Sequence, residues 1–161
     1  MPKLQDRHEG AVRVSADPTR ARPVVLATMS VRVDPSAERM AIDSALEAGV
    51  PLLIANLLRL RPYPTTIGLL GAQRSTLPHE EDLEAVRSTA RRAAALGLKT
   101  ELLRVTTTRP VKALLELASE RDAGLIVFGP HLGLVGRLRY RAAARRVRRE
   151  AACLVWVAPD G

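Results

Sequence analysis

At 161 residues, 47% hydrophobic and 26% charged, the chain is long enough to bury one core without metals or disulfides and too apolar to remain disordered. It carries no run near the ~18 uninterrupted apolar residues of a membrane span, no apolar signal-peptide centre within residues 1–10, and one cysteine, Cys153, which excludes an internal disulfide framework and a cysteine-rich metal site. The net charge of +8 is local: Arg137, Arg139, Arg141, Arg145, Arg146, Arg148 and Arg149 fall in one acid-free segment, and without them 18 cations face 17 anions.

Residues 1–22 show no sustained period and read as a flexible or loosely docked leader, leaving 23–161 as one domain. The apolar run at 22–28 predicts a strand buried on both faces. Asp34-Pro35 predicts a capped helix start, with Ala37, Met40, Ala41, Leu46 and Ala48 as its buried stripe and Gly49 as its end. A second strand follows at 50–58, then a long connection at 59–77, then a helix at 78–96 whose acids come first and arginines last, as the helix dipole favours. The alternation at 98–105 predicts a strand near a sheet edge. Thr108 is the expected cap of a third helix bearing Val111, Leu114, Leu115 and Ala118, and 124–129 is the fourth strand. A glycine-rich loop at 129–136, a helix at 138–150 and a strand at 153–157 complete the order. Strands alternating with helices predict an α/β fold: a Rossmann-like, doubly wound, five-stranded parallel sheet with helices on both faces.

The glycine loop follows a parallel strand and precedes a helix, the place where open α/β sheets bind ligands. Its spacing, Gly129, Gly133 and Gly136, is neither a P-loop nor a dinucleotide fingerprint. The three histidines are scattered: His8 in the leader, His79 at a helix start and His131 in the loop, which matters only if the loop holds phosphate. No catalytic or metal-ligand arrangement follows from spacing, and Cys153 reads as a small core residue.

Residues 113–129, ALLELASERDAGLIVFG, resemble the helix–strand signature of the universal stress protein family. Residues 145–157 resemble that family's closing helix and valine-rich strand, and 24–28 with the helix from Asp34 are similar to its opening, so the resemblance covers 23–158. In nucleotide-binding members an Asp follows strand one, and a Gly-x2-Gly-x9-Gly-Ser/Thr loop holds the ATP phosphates. Here Met29 stands at the acidic position, Gly133 falls one residue late, and the closing pair falls near Arg141-Ala142, a cation and a methyl. The resemblance therefore implies a cytoplasmic, stress-associated regulatory or binding protein with a degraded ATP motif, no catalytic activity and no cofactor. The alternative is an ATP-binding, at most slowly hydrolysing, relative that uses Gly129, His131, Gly133, Gly136 and Arg137. Arg141 filling the triphosphate space would close such a site, and an open cleft would favour a ligand. The resemblance also implies a homodimer paired edge to edge through Leu154, Val155, Trp156 and Val157.

On the last helix Arg137, Arg141, Arg145 and Arg148 form one stripe, opposite Tyr140, Ala143, Ala144, Val147 and Ala151. A solvated face is the plainest reading, and an adaptor for an anionic partner through residues 137–149 is the functional one. Scarce aromatic residues (Trp156, Phe128, Tyr63 and Tyr140) argue against nucleic acid, and an apolar side made mostly of alanine argues against a membrane.

Overall fold

The computed structural model describes residues 21–60 and 79–159. The expected leader (apart from Arg22 and its neighbour), His8, Tyr63 and most of the 59–77 connection lie outside these residues.

Five strands, β1 (Val24–Thr28), β2 (Leu52–Arg59), β3 (Thr100–Thr107), β4 (Leu125–Phe128) and β5 (Leu154–Val157), form one all-parallel sheet in the order β3-β2-β1-β4-β5. The predicted α/β architecture is the observed one. Every residue of β1 is buried, because the central strand meets helices on both faces. Helices α1 (Pro35–Ala48) and α2 (Glu80–Ala95) cover one face, over Val24, Leu26 and Ile54. Helices α3 (Pro110–Glu120) and α5 (Arg137–Glu150) cover the other, over Val25, Ala27, Leu53 and Phe128. Each large apolar side chain fully buried there contributes about 1.5–3 kcal/mol of transfer free energy. No described helix is long and apolar enough to cross a membrane.

Helix α1 begins as its sequence dictates. Asp34 accepts a hydrogen bond from the Ser36 amide at 2.9 Å, Pro35 takes the first helical position, and Gly49 closes it with φ +62°. Its buried stripe is Ala37, Ala41, Ile42 and Ala45, with Met40 half-buried; the expected Leu46 and Ala48 are exposed. Small side chains at intervals of four let the helix approach the sheet closely, and that contact sets its rotation ahead of leucine's hydrophobicity. The closest point is Gly129, where a Cβ would stand 2.0 Å from the Ala37 Cβ.

Two other boundaries differ from expectation. Thr108 does not cap α3: Arg109 precedes its first turn and Pro110 opens it, so proline's preference for the first helical position sets the start. Thr107 Oγ1 instead accepts from the Arg109 amide at 3.0 Å. The glycine loop contains one helical turn, α4 (Leu132–Val135).

Helices α1 and α2 are joined by a bidentate pair in which Arg92 Nε and Nη2 donate to the Glu38 carboxylate at 2.6 and 2.8 Å, with Thr89 Oγ1 donating at 2.8 Å. Burial pushes the Glu38 carboxyl up, but the hydrogen bonds from Arg92 and Thr89 outweigh it and hold it below the usual carboxylate range.

Two measurements check these assignments. Gly129→Ala should cost about 1–3 kcal/mol in urea unfolding, and Ala37→Gly in that background should recover part of the loss. Unchanged stability of the single variant would show that the contact is relaxed without cost. A carboxylate with a lowered folded pKa stabilises above its unfolded pKa and loses that contribution as pH falls through the folded value. Glu38→Gln should therefore lower stability at pH 7 by about 0.5–1 kcal/mol for a pair whose arginine is half-exposed. The gap from the parent should close as pH falls below about 4.5, the usual carboxyl region, and a gap independent of pH would reject the pairing.

Candidate functional site

The loops at the carboxyl ends of β1 and β4 are zipped together. Val33 bridges Pro130, the Asp34 amide donates to the Gly129 carbonyl at 2.8 Å, and the His131 amide donates to the Arg32 carbonyl at 3.0 Å. Arg32 in turn donates from its amide and Nε to Asp82 Oδ1 at 3.3 and 2.9 Å, which satisfies a buried carboxylate at the start of α2. Ser30 sits in the left-handed region with φ 57°. Its Oγ donates to the Leu57 carbonyl at 3.2 Å and accepts from the Arg59 amide at 3.1 Å, fixing where Arg59 leaves the sheet.

These links frame a cleft of about 540 Å³, within the size range of small-molecule sites. Met29, Ser30 and Val31 come from the end of β1 and Arg59 from the end of β2. Thr108, Arg109, Pro110 and Val111 come from the β3–α3 junction, His79 from just before α2 and Asp82 from its first turn, Leu134 and Val135 from α4, and Arg139, Ala142, Ala143 and Arg146 from α5. Four arginines thus face one cavity. Its single lining carboxylate among the described residues, Asp82, is already neutralised by Arg32. Arg146 shares Glu150 with Arg149, whereas Arg59 and Arg109 have no ion pair among the described residues. The uncapped start of α3 opens on the same space with no acid in its first turn, adding the positive end of its dipole.

The residues expected to hold nucleotide lie beside this cleft rather than in its wall. The Gly129 amide donates to the Ala27 carbonyl at 3.0 Å, and its missing side chain makes room for Ala37. His131 precedes α4, with its Nδ1 buried and unpartnered; Gly133 lies within that turn. Gly136, φ +89°, precedes α5, and Arg137 begins α5 exposed to solvent. The residues between them, Leu134 and Val135, reach the cleft. Arg141 does not line it.

Sequence reasoning missed Arg59 and Arg109. Arg59 ends β2 and Arg109 lies two residues beyond the end of β3, and the rule that open α/β sheets bind ligands at strand carboxyl ends marks both when applied to every strand.

Among the described residues the edge strand β5 pairs with β4 alone. Leu154 is 74% exposed, and Val155, Trp156 and Val157 are half-buried. Cys153 is half-buried too, with its thiol pushed up by burial, so at neutral pH it stays protonated and weakly reactive. Among the described residues no cluster of three or more His, Cys, Asp or Glu side chains could hold a metal ion.

The sequence model of the universal stress protein family matches residues 21–159. No curated protein matches the chain. Among solved structures, a universal stress protein in complex with cAMP is 24% identical, with a TM-score of 0.60 over 88% of this chain and 100% of that one. The universal stress protein from Archaeoglobus fulgidus in complex with dAMP is 23% identical, with a TM-score of 0.57 over 84% and 96%. The universal stress protein UspA from Lactobacillus plantarum is 17% identical, with a TM-score of 0.60 over 86% and 99%. The chain belongs to the universal stress protein family.

Proposed function

We propose that this universal stress protein is a non-catalytic binding protein that takes an adenine nucleotide in the 540 Å³ cleft, with arginine side chains holding the phosphates in place of the glycine loop. The observation that carries this reading is the charge of the cleft: among the described residues Arg59, Arg109, Arg139 and Arg146 line it, against one carboxylate already paired with Arg32. Guanidinium groups bind phosphate oxygens through charge-assisted, often bidentate hydrogen bonds. The positive end of α3 adds to the same field. The apolar wall from Met29, Val31, Leu134, Val135 and Val111 suits a planar base. Relatives of the same fold in complex with cAMP and with dAMP support the ligand class.

The departures from the family's phosphate loop fit this arrangement. Gly129 spends its amide inside the fold, so a late Gly133 and the missing closing Gly-Ser/Thr remove little that this chain could still use. Arg141 is not among the residues that line the cleft, so it does not fill the space. Asp82, engaged by Arg32 through both backbone and side chain, is poorly placed as a general base, which supports binding without hydrolysis.

ATP at about ten times its Kd should raise the melting temperature by about 3–6 °C, since ligand that binds only the folded state stabilises it by RT ln(1 + [L]/Kd). Adenosine should give little shift. Arg59→Ala with Arg109→Ala should remove most of the ATP effect, while Gly133→Ala, whose added Cβ meets only the His131 ring at 3.4–3.5 Å, should retain it. A shift that survives the arginine changes and disappears with Gly133→Ala would return the ligand to the glycine loop. No shift with any adenine nucleotide would end this reading.

A further inference from the structure

The cleft is two-sided. Helices α3 and α5 cover one face of the sheet, and Arg109, at the start of α3, lines the cleft with Arg139 and Arg146 of α5. Arg59 continues the alternation of Leu53, Ala55 and Leu57, which face those same helices. Asp82 comes from the first turn of α2, which covers the opposite face. Met29, Ser30 and Val31 follow the central strand, in the layer between. Among the described residues the lining arginines therefore stand on one side of the strand ends and the lining carboxylate on the other.

That carboxylate is half used. Arg32 donates to it from its amide and from Nε, at 3.3 and 2.9 Å, and both bonds end on Oδ1. Among the described residues Oδ2 accepts no hydrogen bond, although the side chain is only 5% exposed. Nor is Oδ2 sealed off, since the buried side-chain polar atoms left without a partner among the described residues are Asn56 Oδ1 and His131 Nδ1. Oδ2 is thus an open acceptor in the wall of the cleft. A phosphate placed there would meet like charge, so phosphates belong on the arginine side. What Oδ2 lacks is a neutral donor, and an adenine nucleotide offers two kinds. The 6-amino group stands beside the N7 acceptor of the ring, so a carboxylate approaching that edge also meets a lone pair. A ribose hydroxyl turns its proton to suit the acceptor and brings no fixed lone pair against it.

We propose that Asp82 is a specificity-determining residue of the cleft: its Oδ2 accepts a hydrogen bond from a ribose hydroxyl, so the site selects ribonucleotides over their deoxy counterparts. The inference rests on the nucleotide reading of the cleft and adds to it the part of the ligand that faces α2. Arg32, by taking Oδ1, leaves Oδ2 to the ligand.

The test is calorimetric titration of the full chain with ATP, its 2′-deoxy and 3′-deoxy analogues, and inosine triphosphate, which carries an oxygen in place of the 6-amino group. EDTA is present throughout, so that no metal ion bridges carboxylate and phosphate. At least one deoxy analogue should bind about tenfold or more weakly than ATP, as expected for the loss of a hydrogen bond to a charged group. Asp82→Ala should bring that ratio close to one. Asp82→Asn keeps the shape and an oxygen for Arg32 but presents an amide in place of Oδ2, and it should shrink the ratio severalfold; it carries the test if circular dichroism shows the alanine variant unfolded. The ratio is the readout because a loosened Arg32 contact, or a negative charge lost from the cleft, moves all the ligands together. Equal binding of ATP and both deoxy analogues, or a preference unchanged in Asp82→Asn, would overturn this proposal and leave the nucleotide reading standing. So would Asp82 variants that stop distinguishing ATP from inosine triphosphate, which would put the carboxylate on the base. No binding of any of the nucleotides would end both.

Discussion

The contact between Gly129 and Ala37 is the constraint on which the rest of the molecule depends. A glycine at the end of β4 lets α1 settle against the sheet, with Ala37, Ala41 and Ala45 fully buried along the approach. Once α1 is that close, its leading loop lies within hydrogen-bond reach of the β4–α4 loop, and the Asp34, Gly129, Arg32 and His131 backbones pair. That pairing orients Arg32 onto Asp82 and thereby anchors the start of α2 across the opening of the cleft. Beside that contact the Gly129 amide donates to the Ala27 carbonyl, so it is spent inside the fold and does not face the cleft.

Much of the fold was legible because its signals are local. Continuous apolar runs mark strands buried on two faces, and Asp34-Pro35 and Gly49 mark helix ends through atoms within two or three residues. The failures share a cause, which is that the deciding atoms lie far away in sequence. Leu46 outranks Ala45 in hydrophobicity, yet the close approach at Gly129, more than 80 residues later, turns Ala45 inward. Thr108 is a better capping residue than Arg109, yet Pro110 fixes the helix start. The cleft is the extreme case. Arg59 and Arg109 are 50 positions apart and become neighbours only because β2 pairs with β3 in parallel register. Glycine spacing is readable along a chain, whereas a site built at the ends of several strands is readable only through the sheet order.

The +8 charge takes a different form in three dimensions. The seven arginines do not make one basic patch, because a period of 3.6 distributes them around α5 while Tyr140, Ala144 and Val147 claim the core side. Arg139 and Arg146 reach the cleft, and Arg137, Arg145 and Arg148 fall on the other flank of the helix. Such a helix is not stable on its own charges. Like pairs four apart, such as Arg137 with Arg141 and Arg141 with Arg145, each cost about 0.2–0.5 kcal/mol, and Glu150 is the sole acid in the helix to offset them. The helix is held through its buried side, where Tyr140 stacks on Phe128 with ring centroids 5.9 Å apart and donates its hydroxyl to the Ala158 carbonyl. A merely solvated face could mix basic with acidic side chains at no such expense, as α2 does with Glu80, Glu84 and Arg87. An exterior that repels itself is thus kept in place by its core, and its arginines divide between the cleft side and the opposite flank of the helix.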